Sequence, residues 1–552
     1  MIADKIKQAI SEVLGGTFSI TDVELTRPTE LTHGDYMTNV AFATAKKEGK
    51  SPKEKADEIV SALEGKLPEG VARVEVAGPG FINFYLTPLY FSQNLSGIDG
   101  EYGKNDTQGG KEIMYEYTDP NPFKKFHIGH LMSNTIGESL ARLTEFSGAK
   151  VIRANYQGDV GPHVAKAIWG KIQNTDMSWG EAYVFGSDKY DENKEAIDTI
   201  NKQVYDKSNK EVNALYDSGR TESLEHFEEI YKKLGTKFDH YFFESEVAAR
   251  GIAVVEKGLA AGIFEKSEGA VVYRGEKEGL HTRVFMTSQG LPTYETKELG
   301  LDKTKFEKEQ LDHSVIVTAS EQDGFFKVVL SAMSKVLPEV AKKTQHISHG
   351  MMRFADGKMS SRTGNVITGE SLLAEVEVLI TEKISDRELS DEEKGIMKSQ
   401  IAVAAVKYSI LRGHIGGDIV YDREQSVSFE GDSGVYLQYA NTRAQSILKK
   451  AEVEGVTASV ILPSDWETTN LERYLERFPE VVALAQNENA PHRVVTYLTE
   501  LASAFNSFYA QGKIIDSANG EVSGYKLALT KAFSTVMKNG LWLLGIEAPE
   551  RM

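Results

Sequence analysis

The sequence predicts an α/β protein in which a parallel-sheet domain lies between an N-terminal α+β unit and a C-terminal all-α domain. Short β-rich runs alternate with helical patterns over residues 111–380, an order typical of a parallel sheet covered by helices. Residues 1–88 combine helical patterns with two strand patterns that flank a Gly-Pro-Gly turn. Residues 381–552 carry long helical patterns, which indicate a separate helical domain.

The N-terminal unit predicts three helices and two strands. Apolar residues at helical spacing mark the first helix: Ile6, Ile10, Val13 and Leu14. Further helices are predicted at 37–47 and 52–63, and strands at 71–76 and 81–86. The helix at 52–63 has the clearest start, because Ser51 suits an N-cap and Pro52 suits the first helical position. A polar, glycine-rich stretch over 96–110 indicates a linker.

The middle region predicts strands at 113–117, 151–156 and 314–319. A proline-marked loop follows the first strand and leads into a helix with Ile136, Leu140 and Leu143 on one face. Residues 169–250 are highly charged and lack a strand signal, so we interpret them as a helical insertion. Farther on, helices are predicted at 401–411, 435–451 and 491–509.

Composition limits the classes of function. The 552 residues carry 63 Lys and Arg against 81 Asp and Glu, a net charge of −18, which argues against coating nucleic acid or membranes through bulk charge. The absence of cysteine excludes disulfides, a cysteine nucleophile and a structural zinc held by thiolates. No targeting segment or long apolar run is visible, so we expect a cytoplasmic protein without membrane contact.

The most informative motif is His127-Ile128-Gly129-His130, which follows a strand and a loop and opens a helix. Two imidazoles three residues apart at a helix N-terminus can face a bound phosphate chain, which the free N–H groups and the helix dipole also favour. Gly129 leaves room for close approach of a nucleotide. The alternative is that two histidines merely cap a helix.

A second motif is Lys358-Met359-Ser360-Ser361-Arg362, flanked by glycines at 357 and 364. Two cations and two hydroxyls on such a loop suit neutralisation of a pyrophosphate leaving group, and the glycines allow the loop to close and open. A lone basic loop of this kind is usually solvated surface. Its pairing with the histidine motif favours the nucleotide interpretation.

These two motifs, followed by a helical domain, resemble the HIGH and KMSKS signatures of class I aminoacyl-tRNA synthetases. Longer matches narrow the resemblance to the arginyl-tRNA synthetase family and cover nearly the whole chain. They are HGDYMTNVAF (33–42), AGPGFINFYL (77–86), DPNPFKKFHIGHL (119–131), KMSSRTGNVI (358–367), APHRVVTYLTELASAFNSFY (490–509) and the terminal GIEAPERM. The resemblance implies a Rossmann-type catalytic domain at 111–380, an N-terminal tRNA-binding domain at 1–88 and a DALR-type anticodon-binding domain at 381–552.

The resemblance implies ATP-dependent activation of L-arginine and transfer to tRNA(Arg), with Mg²⁺ expected beside ATP and a monomeric enzyme. His127, His130 and Lys358 would be catalytic, with Gly129, Ser360, Ser361 and Arg362 also at ATP. KMSKS has its second lysine where this chain has Ser361. Family members without that lysine typically carry one three residues before HIGH, so Lys124 is expected to compensate; the alternative is that it solvates the loop.

The resemblance also implies an arginine pocket. Glu116 and Asn121 match positions that hold the ends of the substrate, and Gln322 matches another pocket residue. Tyr294 and Glu298 lie four apart, so they share a face if that segment is helical. A carboxylate suits the planar five-donor guanidinium, although the family usually has aspartate where this chain has Glu298.

Transfer-RNA contacts are expected from both flanking domains. Phe81, Asn83 and Tyr85 alternate along one strand and would share a face for base stacking; for Phe81 the alternative is a core position. In the C-terminal domain the candidates are Tyr436, Tyr439, Asn441, Arg443, Tyr509 and Met552.

Three other functions compete with this interpretation. A cysteinyl-type synthetase reads its substrate through thiolate-bound zinc, which a chain without cysteine cannot hold. A small nucleotidyltransferase would need neither flanking domain. A catalytically dead paralogue that binds RNA is disfavoured by the intact His127, His130 and Lys358.

Overall fold

A computed structural model describes residues 2–15, 18–355, 367–384, 390–516 and 518–552. The N-terminal unit comprises α1 (Ile2–Val13), β1 (Tyr36–Thr38), α2 (Val40–Glu48), α3 (Pro52–Leu63), β2 (Val71–Ala77), β3 (Phe81–Leu86) and α4 (Pro88–Leu95). Its three strands form an antiparallel sheet in the order β1-β3-β2. The predicted helix at 37–47 is wrong at its start, because β1 pairs with β3 and the helix begins only at Val40.

The predicted start of α3 is confirmed in detail. Ser51 Oγ accepts a hydrogen bond from the backbone N–H of Glu54, and the Glu54 carboxylate accepts one from the backbone N–H of Ser51. Each group thereby satisfies an otherwise free donor at the helix end. The predicted strands at 71–76 and 81–86 are confirmed as β2 and β3.

The first part of the central region comprises β4 (Glu112–Tyr117), α5 (Ile128–Phe146), β5 (Lys150–Gln157), α6 (Pro162–Gln173), α7 (Trp179–Asp188), α8 (Lys194–Asp206), α9 (Lys210–Leu234), β6 (His240–Phe243) and α10 (Glu244–Ala260). It continues through β7 (Glu265–Ser267), β8 (Ala270–Tyr273), β9 (Arg283–Met286), α11 (Tyr294–Lys308), β10 (His313–Ala319), α12 (Asp323–Val336), α13 (Pro338–Ala341), β11 (Thr344–His349) and β12 (Met352–Phe354).

Five of these strands form the central sheet, in the order β11-β10-β4-β5-β6, and all four pairings are parallel. The predicted parallel sheet is thus confirmed. The expectation that residues 169–250 contain no strand is wrong, because β6 pairs with β5 at the sheet edge. Its four residues, His-Tyr-Phe-Phe, are too few to show an alternating pattern beside the long charged helices.

The C-terminal part comprises α14 (Gly369–Lys383), α15 (Asp391–Leu411), β13 (Ile419–Tyr421), α16 (Arg423–Ser426), α17 (Gly434–Glu454), α18 (Asn470–Asn487), α19 (Pro491–Ala510) and α20 (Gly520–Leu543). It is helical as predicted, apart from β13, which pairs in parallel with β12. Buried residues of α5, such as Leu140 and Phe146, share one hydrophobic core with Phe478 and Leu541 of these helices. Within the described ranges, no helix has the length and apolarity needed to cross a membrane.

Candidate active site

The candidate active site lies where the central sheet presents the carboxyl ends of its strands. β4 is flanked by β10 on one side and by β5 on the other. The chain leaves β4 for α5 and returns to β5, so the side of β4 next to β10 is where the strand order reverses. Parallel sheets bind ligands in the crevice at such a reversal. The histidine motif stands at this point, at the start of α5.

The loop from β4 to α5 has three non-glycine residues with positive φ: Thr118 (83°), Asp119 (47°) and Phe123 (70°). Such backbone persists only where the surrounding structure holds it. Thr118 Oγ1 accepts a hydrogen bond from Asn134 Nδ2 (3.0 Å), and Asp119 Oδ1 accepts one from the backbone N–H of Tyr156 (2.8 Å). The strained loop is therefore fixed to α5 and β5.

The two histidines cap α5 reciprocally. The backbone N–H of Gly129 donates to Nδ1 of His127 (3.1 Å), and the backbone N–H of His127 donates to Nδ1 of His130 (3.2 Å). Their rings stack with centroids 3.5 Å apart. Because Nδ1 accepts in both rings, each neutral imidazole carries its hydrogen on Nε2. The capping thus sets the tautomer and leaves two Nε2–H donors.

Burial keeps these rings neutral. It lowers the pKa of His127 below its ordinary value, and the positive charge of Lys124 lowers it further. The pKa of His130 lies well below its ordinary value, first through burial and then through the charges of His127 and Lys124. Lys124 is thereby near both histidines, as its predicted role requires; its Nζ lies 5.1 Å from the ring centroid of Tyr183.

Gly129 has a role that the sequence did not indicate. A Cβ at this position would lie 2.9 Å from the ring of His127. The glycine is therefore required by the reciprocal cap itself, in addition to any approach of a nucleotide.

The second motif lies outside the described residues: Lys358, Ser360, Ser361 and Arg362 all belong to 356–366. The chain that follows is fixed beside the first histidine. Thr368 forms an isolated antiparallel bridge with His127, and the backbone N–H of Gly369 donates to the carbonyl of Phe126 (2.8 Å). The chain that follows the second motif is thus attached to the start of α5.

A buried cluster of charged side chains joins β4, the strand that precedes the motif, to α11. Lys305 Nζ lies 2.7 Å from Glu116 Oε2 and 2.9 Å from Asp302 Oδ1, and all three side chains are almost inaccessible to solvent. Glu298, one turn before Asp302 on α11, is 5% exposed. Its Oε1 has no hydrogen-bond partner among the residues that the structure describes.

Burial and neighbouring carboxyl groups together set the electrostatics of this cluster. Burial raises the pKa of Glu298 well above its ordinary value, and the charges of Asp302, Glu116 and Asp119 raise it further against the attraction of Lys305. Four carboxyl groups therefore face one ammonium. Such a site favours a ligand that brings positive charge into it.

The other predicted pocket residues come from three different segments. Tyr294 is the first residue of α11 and is 59% exposed, one turn before Glu298. Asn121 Oδ1 accepts a hydrogen bond from the backbone N–H of Gly158 (3.0 Å). Gln322 is exposed after β10. Glu116, predicted to hold an end of the substrate, is instead engaged by Lys305.

Sequence reasoning missed five charged residues of this site. They are Asp119, Glu244, Lys297, Asp302 and Lys305; Lys297 Nζ lies 2.6 Å from Glu244 Oε2. Residues 294–308 alternate charges in a way that is typical of a solvated helix, although α11 buries nine residues, from Glu295 to Lys305. The signal available in the sequence for these residues was the run of charged side chains that follows Tyr294.

Comparison with known proteins decides the family. The model of the class I arginine-type tRNA synthetase catalytic domain matches residues 93–422. The arginyl-tRNA synthetase N-terminal domain model matches residues 1–86, and the DALR anticodon-binding domain model matches residues 437–552. The chain belongs to the arginyl-tRNA synthetase family. It therefore has a class I catalytic domain and an anticodon-binding domain, with arginine, ATP and tRNA(Arg) as substrates.

Individual relatives agree over the full length. An arginine–tRNA ligase of Clostridium perfringens is 31% identical across all of this chain and 99% of the relative. One of Treponema denticola is 31% identical over 93% of this chain and 92% of its own. The arginyl-tRNA synthetase structure of Thermus thermophilus has the same fold, with a TM-score of 0.79, 23% identity and full coverage of both chains.

The arginyl-tRNA synthetase family assignment directs attention to the predicted tRNA surfaces. In the DALR domain the guanidinium of Arg443 lies 5.0 Å from the ring centroid of Tyr439 and 5.2 Å from that of Tyr509. Asn506 contacts Arg443 and donates to Tyr436 Oη (2.9 Å). Tyr509 is 45% exposed, and half-buried Met552 packs against the main core. Four of the predicted residues thus come together on α17 and α19.

Two predicted contact residues are not at the surface. Asn441 is fully buried; its Oδ1 accepts from Ser534 Oγ (2.9 Å) and its Nδ2 donates to the carbonyl of Pro549 (3.4 Å), so it fixes the chain terminus. Asn83 is 3% exposed in β3. On the same strand, the Tyr85 ring lies under the Arg73 guanidinium (3.6 Å), and Phe81 packs on Phe42 with ring centroids 5.0 Å apart.

Proposed function

We propose that L-arginine binds with its guanidinium against Glu298. The observation that carries this proposal is the excess of buried carboxyl groups over Lys305. Lys305 forms ion pairs with Glu116 and Asp302, whereas Glu298 Oε1 has no hydrogen-bond partner in the described part of the chain. A guanidinium supplies both the charge and the paired N–H donors that this oxygen lacks.

The remaining pocket residues position the rest of the substrate. Tyr294, exposed at the start of α11, packs along the arginine side chain, while Asn121 and Gln322 bind its polar ends. Glu116 acts indirectly: it fixes the position of Lys305 and contributes negative charge to the site.

On the ATP side, His127 and His130 donate their Nε2–H groups to phosphate oxygens, while Gly129 keeps the approach open. Lys124 adds positive charge from the same loop. The assignment of pyrophosphate contacts rests on the second sequence motif alone and comprises Lys358, Ser360, Ser361 and Arg362. Mg²⁺ would be held by the ATP phosphates and would neutralise part of their charge. Within the described ranges, no group of three His, Asp or Glu is placed to hold a metal ion.

The reaction then proceeds in two displacements. A carboxylate oxygen of arginine forms a bond to the α-phosphorus of ATP as the bond to pyrophosphate breaks, giving arginyl-adenylate. A terminal ribose hydroxyl of tRNA(Arg) next attacks the carbonyl carbon, loses its proton and releases AMP. Neutral donors and fixed cations suit these steps, because phosphoryl chemistry depends mainly on positioning and charge stabilisation.

We propose that tRNA contacts the surface formed by Tyr436, Tyr439, Arg443, Tyr509 and Met552. Tyrosine rings and an arginine plane are suited to stacking with unpaired anticodon bases. Phe81 and Tyr85 of the N-terminal unit provide a second contact. In this scheme the domains span 1–88, 111–380 (with an insertion at about 169–250) and 381–552, and the enzyme acts as a cytoplasmic monomer.

The test is a tRNA-charging assay with purified tRNA(Arg) and each of the twenty amino acids. Arginine alone should be attached, and ATP–pyrophosphate exchange should depend on it. Exchange driven equally well by lysine or citrulline would contradict the pocket assignment, because citrulline has the shape of arginine without its charge.

A further inference from the structure

The end of the chain makes a set of contacts that the proposed roles do not explain. We call residues 542–549 the terminal segment: it comprises the last two residues of α20 and the chain after it. Its backbone carbonyls receive side-chain donors from both the catalytic and the helical part of the protein. The sequence GIEAPERM, conspicuous in the resemblance, begins within it.

The first anchors come from α5, the helix that starts with the histidine motif. Ser139 Oγ donates to the carbonyl of Leu543 (2.8 Å), and Arg142 Nη1 donates to that of Trp542 (2.9 Å). Arg142 Nη2 also donates to the carbonyl of Gly235 at the end of α9 (2.8 Å). These bonds satisfy helix-end carbonyls that otherwise lack partners.

A buried lysine on α15 also binds backbone carbonyls at the end of α9 and in the terminal segment. Lys407 is 1% exposed, and its Nζ donates to the carbonyls of Leu234 (2.6 Å) and Gly545 (2.8 Å). Gly545 has φ +66°, and a Cβ there would lie 2.8 Å from Lys407 Nζ. The left-handed glycine is thus required for this close approach.

The far end of the terminal segment is held by α17, which also carries Tyr439 and Arg443. Gln438 Nε2 donates to the carbonyl of Glu547 (2.8 Å), and Asn441 Nδ2 donates to that of Pro549 (3.4 Å). A continuous chain of direct contacts therefore leads from α17 through the terminal segment to α5.

We infer that Ser139, Arg142 and Lys407 are positioning residues for arginine activation, and that Gln438 acts with them through the terminal segment. The helix α5 is rigid along its axis, and about 18 Å along that axis separates Arg142 from His130. Fixing its C-terminal half against the terminal segment therefore sets where His127 and His130 stand relative to the crevice. The inference rests on the phosphate-binding role proposed for these histidines.

The test compares Arg142→Met and Gln438→Met with a matched control, Arg473→Met. Arg473 pairs with Asp35 between α18 and the N-terminal unit, and its side chain is 16% exposed against 13% for Arg142. Exchange kinetics with tRNA(Arg) present and the thermal midpoint are measured for each. Both test variants should lower kcat about tenfold with KM for arginine and ATP nearly unchanged, because catalysis is sensitive to small misplacements. The control should lose thermal stability without losing kcat.

A double-mutant cycle separates positioning from general damage. If Arg142 acts through His130, Arg142→Met should cause no further loss of kcat in a His130→Ala background. Independent, multiplying losses would overturn the inference, as would an equal loss of kcat in Arg473→Met. Unchanged kcat in Gln438→Met would overturn the link to α17. If Arg142→Met does not fold, Ser139→Ala, which removes one hydrogen bond, is used in its place. Arginine-dependent exchange by the unmodified protein remains a separate test of the proposed function.

Discussion

The ammonium of Lys305 lies 2.7 Å from Oε2 of Glu116, and neither side chain is open to solvent. A buried ion pair costs desolvation energy, so its presence calls for compensation by further partners. Asp302 provides one partner at 2.9 Å, and Glu298, on the same helix, keeps a buried carboxyl oxygen without a hydrogen-bond partner among the described residues. The single ammonium of this pair therefore neutralises only part of the negative charge of the buried carboxyl groups.

The affinity for arginine should increase with pH. In the free enzyme the raised pKa of Glu298 keeps this carboxyl protonated to higher pH than usual, and a bound guanidinium favours the carboxylate. Binding then releases a proton, so Kd should fall by up to about tenfold per pH unit below that pKa. Calorimetry in buffers of different ionisation enthalpy counts the proton. Glu298→Gln should reduce the slope, and an affinity that falls as pH rises would contradict this assignment.

Arginine activation should not require a protonated histidine. The pKa of both His127 and His130 is lowered, so both rings are neutral donors near neutral pH. We expect kcat for ATP–pyrophosphate exchange to show no decline from pH 6 to 7 of the kind that loss of an imidazolium proton would produce. His130→Ala should lower kcat by about 10²-fold. A wild-type decline across this range that is absent in His130→Ala would show that the imidazolium is the active form.

Arg443 should serve tRNA binding through its shape as well as its charge. Its planar guanidinium contacts the rings of both Tyr439 and Tyr509, an arrangement that lysine cannot reproduce. Arg443→Lys should therefore raise KM for tRNA(Arg) nearly as much as Arg443→Ala, by about tenfold, and leave KM for arginine unchanged. Full retention of tRNA affinity in Arg443→Lys would indicate that charge alone matters.

Lys407 should make stability depend on pH. Burial lowers its pKa to about 7, against 10.5 for an ordinary lysine. Between these values the unfolded chain holds a proton that the folded protein lacks, so its contribution to stability rises with pH and is lost as pH falls towards 7. The unfolding free energy, relative to Lys407→Met, should rise by about 1.4 kcal/mol per pH unit from pH 7 to 9 in urea titrations. A constant difference would contradict the lowered pKa.

The sequence predicted the parts of the molecule in which local chemistry and periodicity agree. Ser51 and Pro52 mark the start of α3, and the strands β4, β5 and β10 follow from their apolar runs. The histidine motif predicted an anion site at the start of α5, and Lys124 indeed lies near it. The reciprocal cap was not predictable, since it depends on the ring orientations of His127 and His130.

Long-range pairing explains what the sequence missed. Lys305 and Asp302 look like surface residues, and only the approach of Glu116 from β4 makes them a buried cluster. Asn441 was placed among the RNA contacts by the family resemblance, yet α17 turns it towards Ser534 and Pro549. The strand β6 is defined by pairing with β5, because its own four residues carry no pattern.

The central claim is that buried carboxylate charge selects arginine, with Glu298 as its contact. The most direct measurement is the affinity of the enzyme for L-arginine and for L-citrulline, its uncharged isostere, in the unmodified protein and in Glu298→Gln. Glu295→Gln is the matched control, because Glu295 is a neighbouring buried carboxylate on α11 that pairs with Arg283 at 2.9 Å. The account predicts that arginine binds about 100-fold or more tightly than citrulline in the unmodified protein and in Glu295→Gln, and that Glu298→Gln loses most of this discrimination. Comparable affinities for the two ligands, or full discrimination in Glu298→Gln, would contradict it.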